Sequence, residues 1–273
     1  MNVRLSANYK GIAREKLLGR YSTVIGAILI MQLIFMGVSY VTDAVVDNTT
    51  VTGMVIYLAI LAIVGLISAV FAVGELTLYM KLSCGDKISV WDIFAGFTGH
   101  PDKAIILQFN IAVRCLVFWL PFIGIMAYMT ASGMISLFDG IDVLTAGNNR
   151  IGTEYILMLA LFAVVGAIGS VYIRILYSQV FYMLIDHPEY ETGEIMDKSR
   201  KLITGHMWDY LYINISFIPI ILLGLLSLGV GLMYIQPYRG VTLTQFYLDL
   251  ASGELDRGRN IDVAIDDQSM NLS

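Results

Sequence analysis

The stretch from Val51 to Lys81 decides the fold class, and it reads VTGMVIYLAILAIVGLISAVFAVGELTLYMK. It contains a single acidic residue, Glu75, and no basic residue before Lys81. A helix needs about 20 predominantly apolar residues to cross the hydrocarbon core of a bilayer. This run therefore predicts a membrane-spanning helix with residues to spare.

The composition of the whole chain indicates the same class. Of the 273 residues, 57% are apolar and only 14% are charged, and the mean hydropathy is +0.73. A soluble domain of this length cannot bury so much apolar surface, whereas a bilayer can solvate it. The net charge of −5 argues against nucleic acid as a partner. We therefore expect a multi-pass integral membrane protein.

Further apolar runs give the number of spans. The other single crossings are Tyr21–Val41, Ala104–Thr130 and Glu154–Ile185. The last apolar region, Met207–Leu250, is too long for one crossing and is interrupted by glycines at 229 and 231. We interpret it as a helical hairpin, Met207–Leu228 and Leu232–Leu250, although its second half is weakly apolar and a five-span alternative stays open. The expected fold is all-α, a polytopic transmembrane helical bundle of about six spans with short cytoplasmic amphipathic helices.

The basic residues predict the orientation of this bundle. With six spans, thirteen of the seventeen Lys and Arg residues fall in cytoplasmic segments, and the outer loops contain only Arg150. Cytoplasmic loops of membrane proteins carry an excess of Lys and Arg. A five-span chain would place Arg257 and Arg259 outside, so we expect six spans in the plasma membrane with both termini cytoplasmic. Three regions follow: a leader at 1–20, a transmembrane domain at 21–250 and an acidic tail at 251–273, expected to be disordered.

Three cytoplasmic segments have amphipathic helical patterns. The leader Leu5–Arg20 has one apolar face, Ser89 and Asp92 have the spacing of a capping box, and Thr192 is positioned to cap a third helix. One interpretation places these helices on the membrane surface, with the anionic inner leaflet as partner. The other, which the general rule for amphipathic stripes favours, is that they pack on the protein and cover the loop ends.

The segment after the fourth span carries a recognisable set of motifs. They are Asp186-His187-Pro188, Ser199-Arg200-Lys201-Leu202, Gly205-His206-x-Trp208, Ser216-Phe217, Gly229-x-Gly231, Pro237-Tyr238 and Phe246-Tyr247-x-Asp249-Leu250, with Trp91-Asp92-x-Phe94-x-Gly96-Phe97 earlier in the chain. This pattern resembles a bacterial multi-pass membrane family catalogued as domain of unknown function 975 (DUF975). The resemblance covers nearly the whole chain. It implies an all-helical protein of the bacterial plasma membrane and assigns no activity.

Polar side chains inside the predicted spans are the candidate site residues. They are Glu75, Arg114, Arg174, Arg239, Asn110 and Asn214. A charge at the centre of a bilayer costs at least about 2.5–3.5 kcal/mol, so these groups should face protein or water. One interpretation is a polar cavity whose arginines bind an anionic headgroup or solute. The other is an internal ion pair, Glu75 with Arg114 or Arg174, that joins helices.

No motif for catalysis or for a cofactor stands out in the sequence. The histidines, His100, His187 and His206, fit no zinc spacing, and neither a phosphate-binding loop nor a nucleophile elbow is present. One deep carboxylate without a deep histidine provides no acid–base pair. We therefore expect no cofactor, no metal and no enzymatic activity. The predicted function is that of a membrane binding or scaffold component that interacts with lipid or anions. The alternative is a small transporter or exporter of an anionic or amphiphilic solute.

Overall fold

The computed structural model describes residues 3–47, 50–132, 153–227 and 229–270, and in these ranges the chain is helical with no strand. The all-α prediction is confirmed. The helices are α1 Val3–Leu17, α2 Tyr21–Val45, α3 Val51–Cys84, a 3-10 helix Val90–Phe94, α4 Ala95–Thr98, α5 Pro101–Ala131, α6 Thr153–Leu176, α7 Val180–Asp186, α8 Thr192–Ile203, α9 Met207–Ile215, α10 Ile218–Leu226 and α11 Val230–Met270.

Five helical segments of the described ranges are long and apolar enough to cross a membrane. They are Tyr21–Val45, Val51–Cys84, Pro101–Ala131, Tyr155–Asp186 and Met207–Leu226. These correspond to the four predicted single spans and to the first half of the predicted hairpin. The second half belongs to α11, which is not among the five. The bundle thus has about five to six spans. The proposed limits of the leader, the transmembrane domain and the disordered tail stay predictions.

The predicted hairpin forms between α10 and α11. Gly229 has a φ of +84°, the left-handed conformation that glycine adopts without strain. The two helices then pack so closely that a Cβ atom on Gly231 would lie 2.7 Å from the Cα atom of Gly224. A second break, at Ser216 and Phe217, separates α9 from α10. Pro219 accounts for this break because it has no backbone N–H to continue the helix.

The helices α5 and α6 form a second close pair. Gly169 lies directly against the ring of Phe118, and a Cβ atom on Gly166 would lie 3.0 Å from the indole of Trp119. The Trp119 Nε1–H donates a hydrogen bond of 2.8 Å to Ser170 Oγ. Small residues let transmembrane helices approach closely. The glycine and serine positions of α6 are therefore packing positions.

The leader helix α1 packs on α11, with further contacts to α3 and α9. Tyr9, Ala13 and Leu17 of its apolar face are buried. The Tyr9 ring meets Phe246 edge-on at 6.0 Å, and its hydroxyl donates a hydrogen bond of 2.6 Å to Asp249 Oδ2. Most of the described apolar face of the leader thus packs on protein, and Ile12 of the same face is exposed.

The segment after α3 folds back between α2 and α3. Ser89 and Asp92 form the predicted capping box, and Asp92 also pairs with Lys81 at 2.8 Å. The backbone then approaches α3 so closely that the Ile93 carbonyl lies against Gly74. This segment is consequently a packed part of the bundle.

The helix α8 also buries its apolar stripe. The residues Ile195, Met196, Ser199, Leu202 and Ile203 are all buried, as the packing interpretation predicts. The cap assigned to Thr192 is wrong: Glu191 is the N-cap residue, and it makes no side-chain capping bond. Most of the described apolar residues in these three segments therefore pack on the protein. A role for anionic lipid at their basic residues stays a prediction.

Candidate functional site

A cavity of about 500 Å³ lies between α3, α7, α10 and α11. Its polar lining groups are Glu75, Tyr79, Tyr182, Gln236 and Arg239. The residues on α3 and α11 follow helical spacing, so one stripe of each helix faces the cavity. The apolar lining comes from Ala72, Leu76, Ile221, Leu232, Ile235 and Leu243.

Glu75 accepts hydrogen bonds only from neutral groups in the described part of the chain. The Tyr79 hydroxyl donates to Glu75 Oε1 at 2.6 Å, and Gln236 Nε2 donates to the same oxygen at 3.3 Å. Gln32 of α2 extends this network by donating to Gln236 Oε1 at 3.3 Å. A carboxylate has room for about four hydrogen bonds in total. The second oxygen of Glu75 is therefore available to a further donor.

Arg239 binds a neutral amide. Its Nε and Nη2 atoms both donate to Asn214 Oδ1, at 3.1 and 2.7 Å. Asn214 in turn donates from Nδ2 to the carbonyl of Tyr210, one helical turn earlier, which fixes the orientation of its amide. A guanidinium has five N–H donors in a rigid fork. The Asn214 contact leaves donors of Arg239 for a ligand in the cavity.

Arg114 and Asn110 lie together on α5, away from this cavity. Arg114 Nη1 donates to the Asn110 carbonyl at 3.3 Å and contacts Met196 Sδ at 3.7 Å. Its guanidinium also lies over the Tyr177 ring, 5.2 Å from the centroid, a cation–π arrangement. The amide of Asn110 donates to Ile106 within its own helix. Arg114 is thus stabilised by a carbonyl, a thioether and an aromatic ring.

Arg174 is exposed in the last turn of α6, and the described part of the chain offers it no hydrogen bond or ion pair. The six predicted residues therefore form no single cluster. Glu75, Arg239 and Asn214 come together, Arg114 and Asn110 form a second group, and Arg174 is separate. The ion pair between Glu75 and Arg114 or Arg174 does not form.

The sequence interpretation missed Tyr79, Tyr182 and Gln236. A signal for two of them was present, because Tyr79 follows Glu75 by four residues and Gln236 precedes Arg239 by three. Residues at these spacings share one face of a helix. Tyr182 has no such signal, because it lies on a different helix, α7, and reaches the cavity only when the helices pack together.

The histidines make local contacts outside this cavity. His187 Nδ1 lies 3.1 Å from Glu189 Oε1, and its ring stacks on Tyr190 with centroids 4.7 Å apart. His206 Nδ1 lies 3.5 Å from Asp209 Oδ2. Within the described ranges, no group of three or more His, Cys, Asp or Glu side chains is arranged to hold a metal ion.

Apolar spans packed around a mostly apolar cavity with a few polar groups define a polytopic helical membrane protein. The family model described as "Protein of unknown function (DUF975)" matches residues 1–254. The chain belongs to this family, which confirms the resemblance seen in its motifs. No curated protein and no solved structure matches it.

Proposed function

We propose that the protein is a non-enzymatic binding component of the bacterial plasma membrane, and that its cavity holds the polar head of an amphiphilic ligand against Arg239. One observation carries this proposal: the guanidinium of Arg239, whose hydrogen bonds within the described residues go to the amide of Asn214 alone, lines a cavity of about 500 Å³. Ligand pockets are typically about 300–1,000 Å³ and mostly apolar, with a few polar groups. Arginine suits phosphate and carboxylate groups because its fork can make two parallel hydrogen bonds.

The orientation belongs to the same proposal. Both termini lie in the cytoplasm, because the Lys and Arg residues are concentrated in the leader, in α8, and between the end of α3 and the start of α5. The basic residues at this end then lie near the anionic inner leaflet, which we propose as a partner of the protein.

The test measures how tightly the full chain in detergent binds lysophosphatidylglycerol, an anionic lipid with a single alkyl chain. Native mass spectrometry gives the dissociation constant. We expect Arg239→Gln to weaken binding at least about tenfold, the loss of one charge-assisted contact. Arg174→Gln is the matched control and should leave binding unchanged. Equal affinities for the wild type and Arg239→Gln would overturn the proposal.

Because Arg239→Gln also loses the Asn214 contact, its melting temperature in detergent is compared with that of the wild type. Arg239→Lys, which keeps the charge, should bind at an intermediate level.

A transporter of an amphiphilic solute is the second candidate, and Pro237 favours it. This proline lies inside α11 beside the cavity residue Gln236, where it removes one backbone hydrogen bond and weakens the helix. Broken helices commonly form the substrate sites of transporters. Flux of labelled lysolipid across the membrane of proteoliposomes, abolished by Arg239→Gln, would favour transport over binding alone.

A further inference from the structure

The cavity carries one acid and one base that do not contact each other. Glu75 is bound by Tyr79 and Gln236, and Arg239 is bound by Asn214. Within the described part of the chain, neither makes an ion pair. Both nevertheless line the same cavity, next to the aromatic rings of Tyr79 and Tyr182.

Separated opposite charges determine which ligands fit. An anion bound at Arg239 would share the cavity with the carboxylate of Glu75, and the two like charges would repel each other. A ligand that carries a cation as well as an anion would avoid this repulsion and would complete both sites. An ammonium group matches Glu75, because it has only donors and the carboxylate only acceptors.

The rest of the cavity surface is apolar. Ile221 and Leu232 contribute to it from α10 and α11, and Leu76 from α3. An alkyl chain attached to the charged head would pack along this lining and make many van der Waals contacts, whereas a free head group would leave the lining uncovered.

We infer that the ligand of this cavity is a zwitterionic amphiphile, with its ammonium group on Glu75, its phosphate or carboxylate on Arg239 and its alkyl chain along the apolar lining. This inference rests on the proposed function, because it uses the same cavity, and it adds the charge pattern of the ligand. The shared head-group chemistry occurs in membrane lipids and in small free solutes, so the experiment includes both.

The experiment compares three probes on the full chain in detergent, with dissociation constants from native mass spectrometry or calorimetry. The first is lysophosphatidylethanolamine, and the second is its N-acetyl derivative, which keeps the chain and the phosphate but loses the ammonium charge. The third is phosphoethanolamine, the free head group without a chain. We expect the wild type to prefer the first probe to the second by about tenfold, the size of a charge-assisted hydrogen bond. The free head group should bind at least about a hundredfold more weakly than the lysolipid.

The variant Glu75→Gln should remove the preference for the ammonium group, because a neutral amide has no charge to attract it. Glu75→Asp keeps the carboxylate and should retain part of the preference. Glu15→Gln, on the leader helix and outside the cavity lining, is the control and should keep all of it. The probe comparison on the wild type needs no variant, so it remains decisive even if Glu75→Gln fails to fold.

The two proposals fail in different ways. If the wild type binds the N-acetyl lipid as tightly as the parent lipid, and Arg239→Gln weakens both, the zwitterion inference is wrong and the proposed function stands. If Arg239→Gln changes the affinity for neither lipid, the proposed function itself is wrong. Binding of the free head group as tight as that of the lysolipid would show that the site takes a solute instead of an amphiphile.

Discussion

The two halves of α3 have similar apolar side chains but different surroundings. In the first half, Val55 and Leu61 are 62% and 46% exposed on the protein surface. In the second half, Val70 and Leu78 are each 1% exposed. The first half lies on the outside of the bundle, on a surface expected to face lipid. The second half packs against the 3-10 helix at Gly74, against α4 at Val70 and against α11 at Tyr79.

The difference shows that hydropathy identifies a membrane span but does not predict which of its residues pack against protein. An apolar side chain gains little by leaving lipid for protein, because both are apolar. Close packing instead needs small residues, and polar groups need partners. The second half of α3 provides both: Gly74 admits the backbone of Ile93, and Tyr79 donates to Glu75.

The largest effect should come from adding one methyl group at Gly74. In Gly74→Ala the new Cβ atom would collide with the Ile93 carbonyl, a backbone atom that cannot move aside easily. We expect a loss of about 3 kcal/mol in the free energy of unfolding, the upper range for overpacking. Unfolding of the detergent-solubilised protein by titration with sodium dodecyl sulfate measures it.

The control for this change lies in the same helix. Gly65 has open space where a Cβ atom would be, so Gly65→Ala should be neutral or slightly stabilising, since alanine favours the helix by up to about 1 kcal/mol. Similar losses for the two variants would mean that the two halves of α3 do not differ in packing.

A smaller loss of stability should come from a change in the leader helix, and it tests whether α1 is held against α11 by its side-chain contacts. Tyr9→Phe removes the hydrogen bond to Asp249 and should cost about 1 kcal/mol. Hydrogen exchange of the α1 amides should rise in this variant. Tyr40→Phe is the control, because Tyr40 is 76% exposed and makes no hydrogen bond in the described part of the chain. Unchanged exchange in α1 after Tyr9→Phe would argue against docking through this contact.

The same contact should depend on pH. Burial, then the hydrogen bond to Asp249 and the charge of Asp249, raise the pKa of Tyr9 above its ordinary value of 10.0. The folded protein therefore holds this proton more tightly than the unfolded chain does. The contribution of Tyr9 to stability is complete below pH 10 and is lost as the pH rises above 10. In Tyr9→Phe this part of the pH dependence should disappear.

Much of the fold could be predicted from the sequence, because long apolar runs and glycine breaks act locally. The start of α2 at Tyr21 and the hairpin at Gly229 follow from such signals. The site could be predicted only in part. Glu75 and Arg239 stood out as charges within apolar runs, but their partners depend on how each helix is rotated and crosses its neighbours. A single sequence does not specify these angles, so the sequence alone could not decide between a polar cavity and an ion pair of Glu75 with Arg114 or Arg174.

The central claim is that the second half of α3 lines a ligand site, whereas the first half of α3 contacts only bulk lipid. The most direct test is photo-crosslinking of the full chain in lipid nanodiscs with a lysophosphatidylethanolamine that carries a diazirine on its alkyl chain. Adducts are mapped by mass spectrometry with and without excess unlabelled lysolipid. We predict that adducts on Ile235 and Leu243 are lost on competition, while those on Val55 and Leu61 remain. Adducts that respond equally to competition in both regions, or that never form in the cavity, would contradict the account.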